Sequence, residues 1–301
     1  MRVNPAIMKK LAKPMLFVAA FIWGSSFFVM KNTLDAVPTF YLLAIRFTAG
    51  AVLLGLACWN KWKALRRDYL WRGAVMGAFL FLAYSIQTFG LMGTTPSKNA
   101  FLTAVYCVIV PFLYWAAARK RPDRYNILAA LLCVTGVGLV SLDGDLSVNA
   151  GDVLTLICAF FYAAHIVAVA KVSPEKDIYL LTVFQFAFAA LYAWAGGALF
   201  ENFPAQAFLA PAVCLPMAYL CVMATTVALL FQNVGQVWSD PASASVILSL
   251  ESVFGVISSV LFYGDLVTLP MAVGFACIFV AVVCSETKFS FLTAGRQKER
   301  R

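Results

Sequence analysis

Charged side chains make up only 12% of this 301-residue chain, and there is a single histidine. A soluble domain carries about a quarter charged residues. With 62% hydrophobic residues and a mean hydropathy of +0.85, the chain is not a soluble globular protein. One histidine cannot build a metal centre alone, and no HExxH is present. The eight cysteines are Cys58, Cys107, Cys133, Cys158, Cys214, Cys221, Cys277 and Cys284, all within apolar runs and never as CxxC. That pattern argues against a disulfide framework or a zinc site, and the residues read as small apolar fillers. No G-x-x-x-x-G-K-[ST] loop occurs, so ATP does not power the protein directly. Alternation of apolar and polar residues is missing, which excludes a membrane β-barrel. No cofactor is implied.

What remains is apolar sequence in long runs. Ten spans are expected at about 15–32, 38–59, 71–91, 97–117, 125–142, 152–171, 178–200, 213–235, 243–263 and 269–286, each near the ~20 residues that cross a bilayer. The expected fold class is an all-α polytopic membrane protein with ten transmembrane helices. The first run follows Lys9, Lys10 and Lys13, as in a signal peptide, but no small-x-small cleavage site stands out, so it reads as an uncleaved first helix.

The net charge of +9 does not point to nucleic acid, because the basic residues sit in loops. If both termini are cytoplasmic, twenty lysines and arginines fall on that side. Only Lys31 and Lys98 fall on the other, and Arg46 lies inside a span. This is a strong positive-inside pattern. Asp35, Asp143, Asp145, Asp152, Glu201 and Asp265 fall on the outer side. The tail from Arg296 to Arg301 reads as a basic end near anionic lipid.

One segment occurs twice. Gln87-Thr88-Phe89-Gly90, Pro96-Ser97 and Ala100 to Tyr106 match Gln232-Asn233-Val234-Gly235, Pro241-Ala242 and Ser245 to Glu251 at a constant offset of 145. The first two spans of each half match at offset 139, placing Trp23 on Tyr162, Ser26 on His165, Arg46 on Gln185 and Phe47 on Phe186. Five spans per half is an odd number, so the halves enter from opposite sides and form inverted repeats. In such folds the substrate site lies near the midplane between the repeats. The expected organisation is a first repeat at 1–146, a second at 147–287, joined near Asp143-Gly144-Asp145, and a cytoplasmic tail at 288–301.

Polar residues inside spans are candidates for that site. A charge at a span centre costs about 2.5–3.5 kcal/mol on insertion scales and faces protein or water. Glu251 shares one arc of span 9 with Ala244, Ser245, Ser249, Ser252, Gly255, Ser258 and Ser259. It serves either as a proton-coupling group or ammonium partner, or as a structural carboxylate. Arg46, ~12 Å into span 2, reads first as a structural ion pair or as snorkelling to the outer interface. His165 is either a hydrogen-bonding or proton group of the cavity or a core histidine. The repeat-related amides Gln87 and Gln232 contact substrate or bond the halves together, as Asn233 and Gln236 also can. Asn99, Thr103, Tyr106 and Val110 share one face of span 4, and Tyr106 aligns with Glu251. Trp23, Tyr84, Tyr106 and Tyr162 would form an aromatic wall that attracts ammonium groups.

Trp23-Gly24-Ser25-Ser26-Phe27, Ile45-Arg46-Phe47, Leu250-Glu251-Ser252-Val253-Phe254 and Gly264-Asp265 resemble the drug/metabolite transporter superfamily, more narrowly its EamA-type ten-helix permeases. The resemblance covers about residues 15–286. The chain departs from it at Glu251-Ser252, where many relatives have Glu-Pro, and at Gly264-Asp265, where many have Gly-Glu. It implies a central cavity lined mainly by helices 1, 3, 4, 6, 8 and 9, and movement of small metabolites, often amino-acid export.

The expectation is therefore a secondary transporter in a bacterial inner membrane, multi-pass, with both termini cytoplasmic. Its partners would be a small-molecule substrate, membrane lipid and a proton, with no nucleic acid. A single chain suffices, because both halves of the cavity come from it. Glu251 with aromatics favours zwitterionic or cationic substrates over anions. A lipid, headgroup or drug translocator on the same scaffold is the alternative. An intramembrane enzyme is the weaker one, since Gly264-Asp265 and Asp143-Gly144-Asp145 lie in outer loops without a second intramembrane aspartate.

Overall fold

The computed structural model describes residues 5–119, 121–122, 124–141, 149–239 and 241–287, and no strand occurs among them. The helices are α1 (Pro5–Thr33), α2 (Thr39–Ala57), α3 (Asp68–Met92), α4 (Pro96–Ala104), α5 (Tyr106–Ala118), α6 (Arg124–Ser141), α7 (Ala150–Val172), α8 (Ile178–Phe200), α9 (Pro211–Tyr219), α10 (Ala228–Val237), α11 (Pro241–Phe262) and α12 (Leu269–Thr287). A π-helical stretch, Leu220–Val227, joins α9 to α10. Taking α4 with α5 and α9 with α10 as single crossings gives ten. Seven of them are long and apolar enough to cross a membrane by length and composition, and Arg124–Val140, Ile247–Tyr263 and Leu269–Cys284 are shorter apolar helices. The protein is an all-α polytopic membrane protein. The expected loop at Asp143-Gly144-Asp145, Lys120 and the basic tail lie outside the described residues.

Three spans differ from expectation, each for a local reason. The first helix begins at Pro5, about a turn and more before Lys9. Met8, Ala12 and Leu16, four apart, are buried and hold this extension against the bundle while Lys9, Lys10 and Lys13 stay exposed. Span 4 breaks at Val105, whose carbonyl accepts from both Val108 (2.9 Å) and Ile109 (3.3 Å) in a tightened turn ahead of Pro111. In span 8, Pro216 removes a backbone donor, and the helix widens into the π-helical stretch, where the Thr226 hydroxyl donates to the Cys221 carbonyl at 2.8 Å.

Packing follows the repeat. α1 packs on α10 and α11, and their repeat mates do the same: α7 packs on α3 and on α4 and α5. α2 packs on the π-helical stretch, as α8 does on α3. The pairs α2–α8 and α6–α12 map onto themselves. Glycines permit the close approaches on which helix association in lipid depends. A Cβ on Gly90 would lie 2.9 Å from the Gly151 carbonyl oxygen, and one on its mate Gly235 would lie 2.6 Å from Leu16 Cγ. The repeated Gly thus sets the same helix contact in each half. Outward-facing apolar side chains such as Val134, Leu199 and Leu215 are exposed and suit hydrocarbon.

The two ends differ chemically. The basic end carries the Lys61 to Arg72 and Lys171 to Lys176 loops, with Arg119, Arg121 and Arg124. There Lys61 pairs with Asp177 at 2.6 Å, Lys176 pairs with Asp68, and an Arg72 guanidinium N–H donates to the Val172 carbonyl. At the opposite, acidic end, carboxylates cap helices. Asp265 accepts from the Ser97 N–H at the start of α4 (3.0 Å), and Glu201 accepts from the Phe40 and Tyr41 N–H groups at the start of α2. Gly264, beside that first carboxylate, has φ +81°, a conformation that glycine adopts without strain.

Candidate functional site

Between the halves lies a cavity lined by Trp23, Ser26, Phe27, Met30, Arg46, Tyr84, Gln87, Tyr106, Tyr162, Ile166, Gln232, Leu248 and Glu251. Spans 1, 3, 4, 6, 8 and 9 contribute, and span 2 adds Arg46. In this conformation it measures about 30 Å³, room for a couple of waters. Anything larger fits only if the side chains that pinch it part.

Each wall follows from its helix. Trp23 is fixed by its indole N–H, which donates to the Ala224 carbonyl at 2.8 Å on the π-helical stretch. Tyr84 meets Tyr162 edge-on with centroids 5.5 Å apart, and Tyr106 lies 6.3 Å from Tyr162. The Tyr162 hydroxyl donates to the Gln87 side-chain oxygen at 2.7 Å, and the Gln87 amide N–H donates to Thr103 at 3.0 Å. Gln87 thereby ties the two halves together at the cavity edge. The break in span 4 starts α5 at Tyr106, which lines the cavity together with Glu251. Within α11 the expected arc is buried: Ala244, Ser245, Ser249, Glu251, Ser252 and Ser259. Ile257 and Leu261 on the opposite side are exposed. Leu248, which interrupts that arc, lines the cavity too.

Arg46 corrects the sequence expectation. It is 1% exposed, so it does not snorkel, and among the described residues no carboxylate lies within ion-pair distance. Its Nε–H donates to the Thr225 hydroxyl at 2.9 Å, a second N–H meets Met30 Sδ at 3.3 Å, and the guanidinium lies over the Tyr84 ring at 5.1 Å. Tyr84 and Tyr162 are within electrostatic range of both Arg46 and Glu251. The cavity therefore holds one guanidinium and one carboxyl group that are not paired with each other.

Of the residues singled out from sequence, Trp23, Tyr84, Tyr106, Tyr162, Gln87, Gln232 and Glu251 meet in this cavity, and His165, Asn99 and Ser249 do not line it. His165 turns toward α8, its Nε2 3.1 Å from Gln185 Oε1, beside Asn233, whose amide donates to Thr182 at 3.0 Å. Asn99 donates to Thr155 at 2.8 Å and packs span 4 on span 6. Ser249 is buried in the α11 arc, and its carbonyl accepts from Ser252. Phe27, Met30 and Ile166 were missed. Phe27 and Met30 follow Trp23 at helical spacing, a signal that the sequence does carry.

The sequence model of the EamA-like transporter family matches residues 11–142 and 149–287. An uncharacterized transporter of Archaeoglobus fulgidus is 32% identical over 268 residues, covering 89% of this chain and 83% of that protein. An S-adenosylmethionine/S-adenosylhomocysteine transporter of Chlamydia muridarum is 33% identical over 109 residues, 32% of this chain and 33% of that one. A solved crystal structure superimposes with a TM-score of 0.69 at 18% identity, covering 94% of this chain and 99% of the other, a likeness of fold. With a family match in both halves and a relative this similar over most of its length, the chain belongs to the EamA-like transporter family.

Proposed function

We propose that this membrane transporter is a secondary carrier that exports small zwitterionic metabolites such as amino acids. The two halves, 1–146 and 147–287, rock around the central cavity. The observation that carries this reading is that a buried guanidinium, Arg46, and a buried carboxyl group, Glu251, stand in one cavity without pairing with each other, walled by Trp23, Tyr84, Tyr106 and Tyr162. A guanidinium with donors to spare suits a carboxylate. A carboxyl beside aromatic faces suits an ammonium. A zwitterion would meet both groups at once, with Glu251 ionised by the ammonium beside it, whereas an anion or a cation would meet only one. The substrate named for the Chlamydia muridarum relative, S-adenosylmethionine, carries an amino-acid head of that kind. The lysine and arginine distribution supports a bacterial inner-membrane carrier with both termini cytoplasmic, driven by ion or substrate gradients. A proton carried by Glu251 would supply such coupling.

The test is counterflow in liposomes loaded with mixed unlabelled amino acids, following labelled ones with and without a pH gradient. Wild type should accumulate label. Glu251→Gln and Arg46→Gln should each raise KM by about 10–100-fold, the effect of losing one charged hydrogen-bonding partner. Wild-type-like transport by both variants would overturn the zwitterion reading. A second reading, a lipid or headgroup translocator, draws on the apolar groove lined by Ile45, Thr48, Val52, Trp194, Cys221 and Val222 between α2, α8 and the π-helical stretch. Fluorescent-lipid scrambling without amino-acid counterflow would favour it.

A further inference from the structure

At the basic end, next to the central cavity, lies a chamber of about 320 Å³ walled by Tyr114, Val169, Ala170, Ser173, Gln236 and Ile166. Ile166 also lines the central cavity, so its side chain stands between the two spaces. The wall also carries Ser173, Glu175 and Lys176, and Gln236 is its unpartnered amide. Both its amide atoms are buried and make no hydrogen bond within the protein. An amide left so costs about 1–3 kcal/mol, unless a guest with both donor and acceptor groups completes it.

The repeat relates this space to the acidic end. Offset 139 places Ile166 on Phe27 and Ala170 on Lys31; offset 145 places Gln236 on Leu91 and Val237 on Met92. Phe27, like Ile166, lines the central cavity. Behind Phe27, the Lys31 ammonium reaches from α1 to the end of α3 and donates to the Leu91, Met92 and Thr94 carbonyls at 2.7, 3.0 and 3.1 Å. That bridge stands at the acidic-end position that corresponds to Ala170 in the chamber wall. Ala170 has no side chain to make it at the basic end, and α7 and α10 leave room there.

We propose that the basic-end chamber is a loading site for a small polar solute on its way to the central cavity, with Gln236 as its polar contact and Ile166 as the door. Phe27, backed by the Lys31 bridge, is the matching door at the acidic end, closed in this conformation. In an inverted-repeat carrier the two ends open in turn by exchanging the conformations of the halves. The bridge is therefore what must break when the acidic end opens. This rests on the carrier reading above, but on no particular substrate.

The experiment places Gln236→Cys or Ser26→Cys in the full-length protein in sided membrane vesicles. Modification by a charged, membrane-impermeant methanethiosulfonate is then followed site by site by mass spectrometry. The buried native Cys107 and Cys158 should stay unmodified and so report an intact fold. Gln236→Cys should react from the basic side whatever residue stands at 166. Ser26→Cys should react from that side about tenfold faster with Ile166→Ala and about tenfold slower with Ile166→Trp, as for a gate. Ile166→Val should resemble wild type. Lys31→Met should make Ser26→Cys reactive from the acidic side. An inert Gln236→Cys, or Ser26→Cys rates indifferent to residue 166 in protein whose native cysteines stay protected, would overturn the proposal. Because these readouts need no substrate, failed amino-acid counterflow with working doors would remove only the zwitterion reading. Intact counterflow with indifferent doors would remove only this one.

Discussion

The indole N–H of Trp23 donates to the Ala224 carbonyl at 2.8 Å, joining the first helix of one half to the π-helical stretch of the other across 201 residues. Both groups are buried. The bond holds one cavity wall in place, and the same stretch presents Thr225 to Arg46. A π-helical turn in this position has a use: it offers the Ala224 carbonyl sideways, where a regular α-helix would keep it in its ladder.

Trp23→Phe keeps most of the ring and removes the donor. The Ala224 carbonyl then loses a buried partner, and stability should fall by about 1–2 kcal/mol. The matched comparison is Trp194→Phe, whose indole N–H donates to Thr48 at 3.0 Å in an exposed position. Thermal unfolding in detergent should show a clear loss for Trp23→Phe and a smaller one for Trp194→Phe. Equal shifts would mean that the buried bond has no special weight.

Gly24 is the point where α1 touches α11 beside the candidate anion. A Cβ there would sit 2.3 Å from Phe254 Cβ and 2.9 Å from the Glu251 carbonyl oxygen. Neither can swing aside as a long side chain does. Gly24→Ala should pry the helices apart, with a loss of about 1–3 kcal/mol and impaired transport, since Glu251 moves with its backbone. Gly264→Ala is the contrast: a Cβ there meets nothing within 4 Å, but φ is +81°. That variant should lose only about 1 kcal/mol to backbone strain and transport normally. Normal transport by Gly24→Ala would remove the close contact from the working parts.

These residues also show how far the sequence could be read. The crossings and the repeat were legible because hydropathy and short-range motifs carry them. Tyr106 and Glu251 were legible because offset 145 aligns them and helical phase puts both on inward faces. Arg46 was misread because its partners, Thr225 and Met30, come from other helices, one of them 179 residues away. His165 depends on the rotation of α7 about its axis, which a nearly uniform apolar helix does not announce. The breaks at Val105 and at Leu220–Val227 were hidden because Pro111 and Pro216 mark strain nearby without stating which turn absorbs it.

Glu201 gives a prediction about how the halves are held. Its carboxylate oxygens accept from the Phe40 N–H at 3.0 and 2.9 Å and from the Tyr41 N–H at 3.1 Å. The N-cap residue of α2 is Pro38, which makes no side-chain capping bond. A carboxylate from the second half therefore caps a helix of the first, satisfying orphan donors and meeting the positive end of the helix dipole. Glu201→Ala should lower stability by about 1–2 kcal/mol. Glu201→Gln, which keeps one acceptor oxygen and drops the charge, should fall between that variant and wild type. Glu201 lies among neither set of cavity-lining residues, so KM should hold while Tm falls. Thermal unfolding and counterflow on the same preparations separate the two effects. If Glu201→Ala melted like wild type, the cap would be dispensable and other acidic-end contacts, among them those of Asp265, Lys31 and Asp152, would hold that end. If KM rose together with the fall in Tm, loosening α2 would reach Arg46, which lies on that same helix, and the acidic-end cap would belong to the transport cycle.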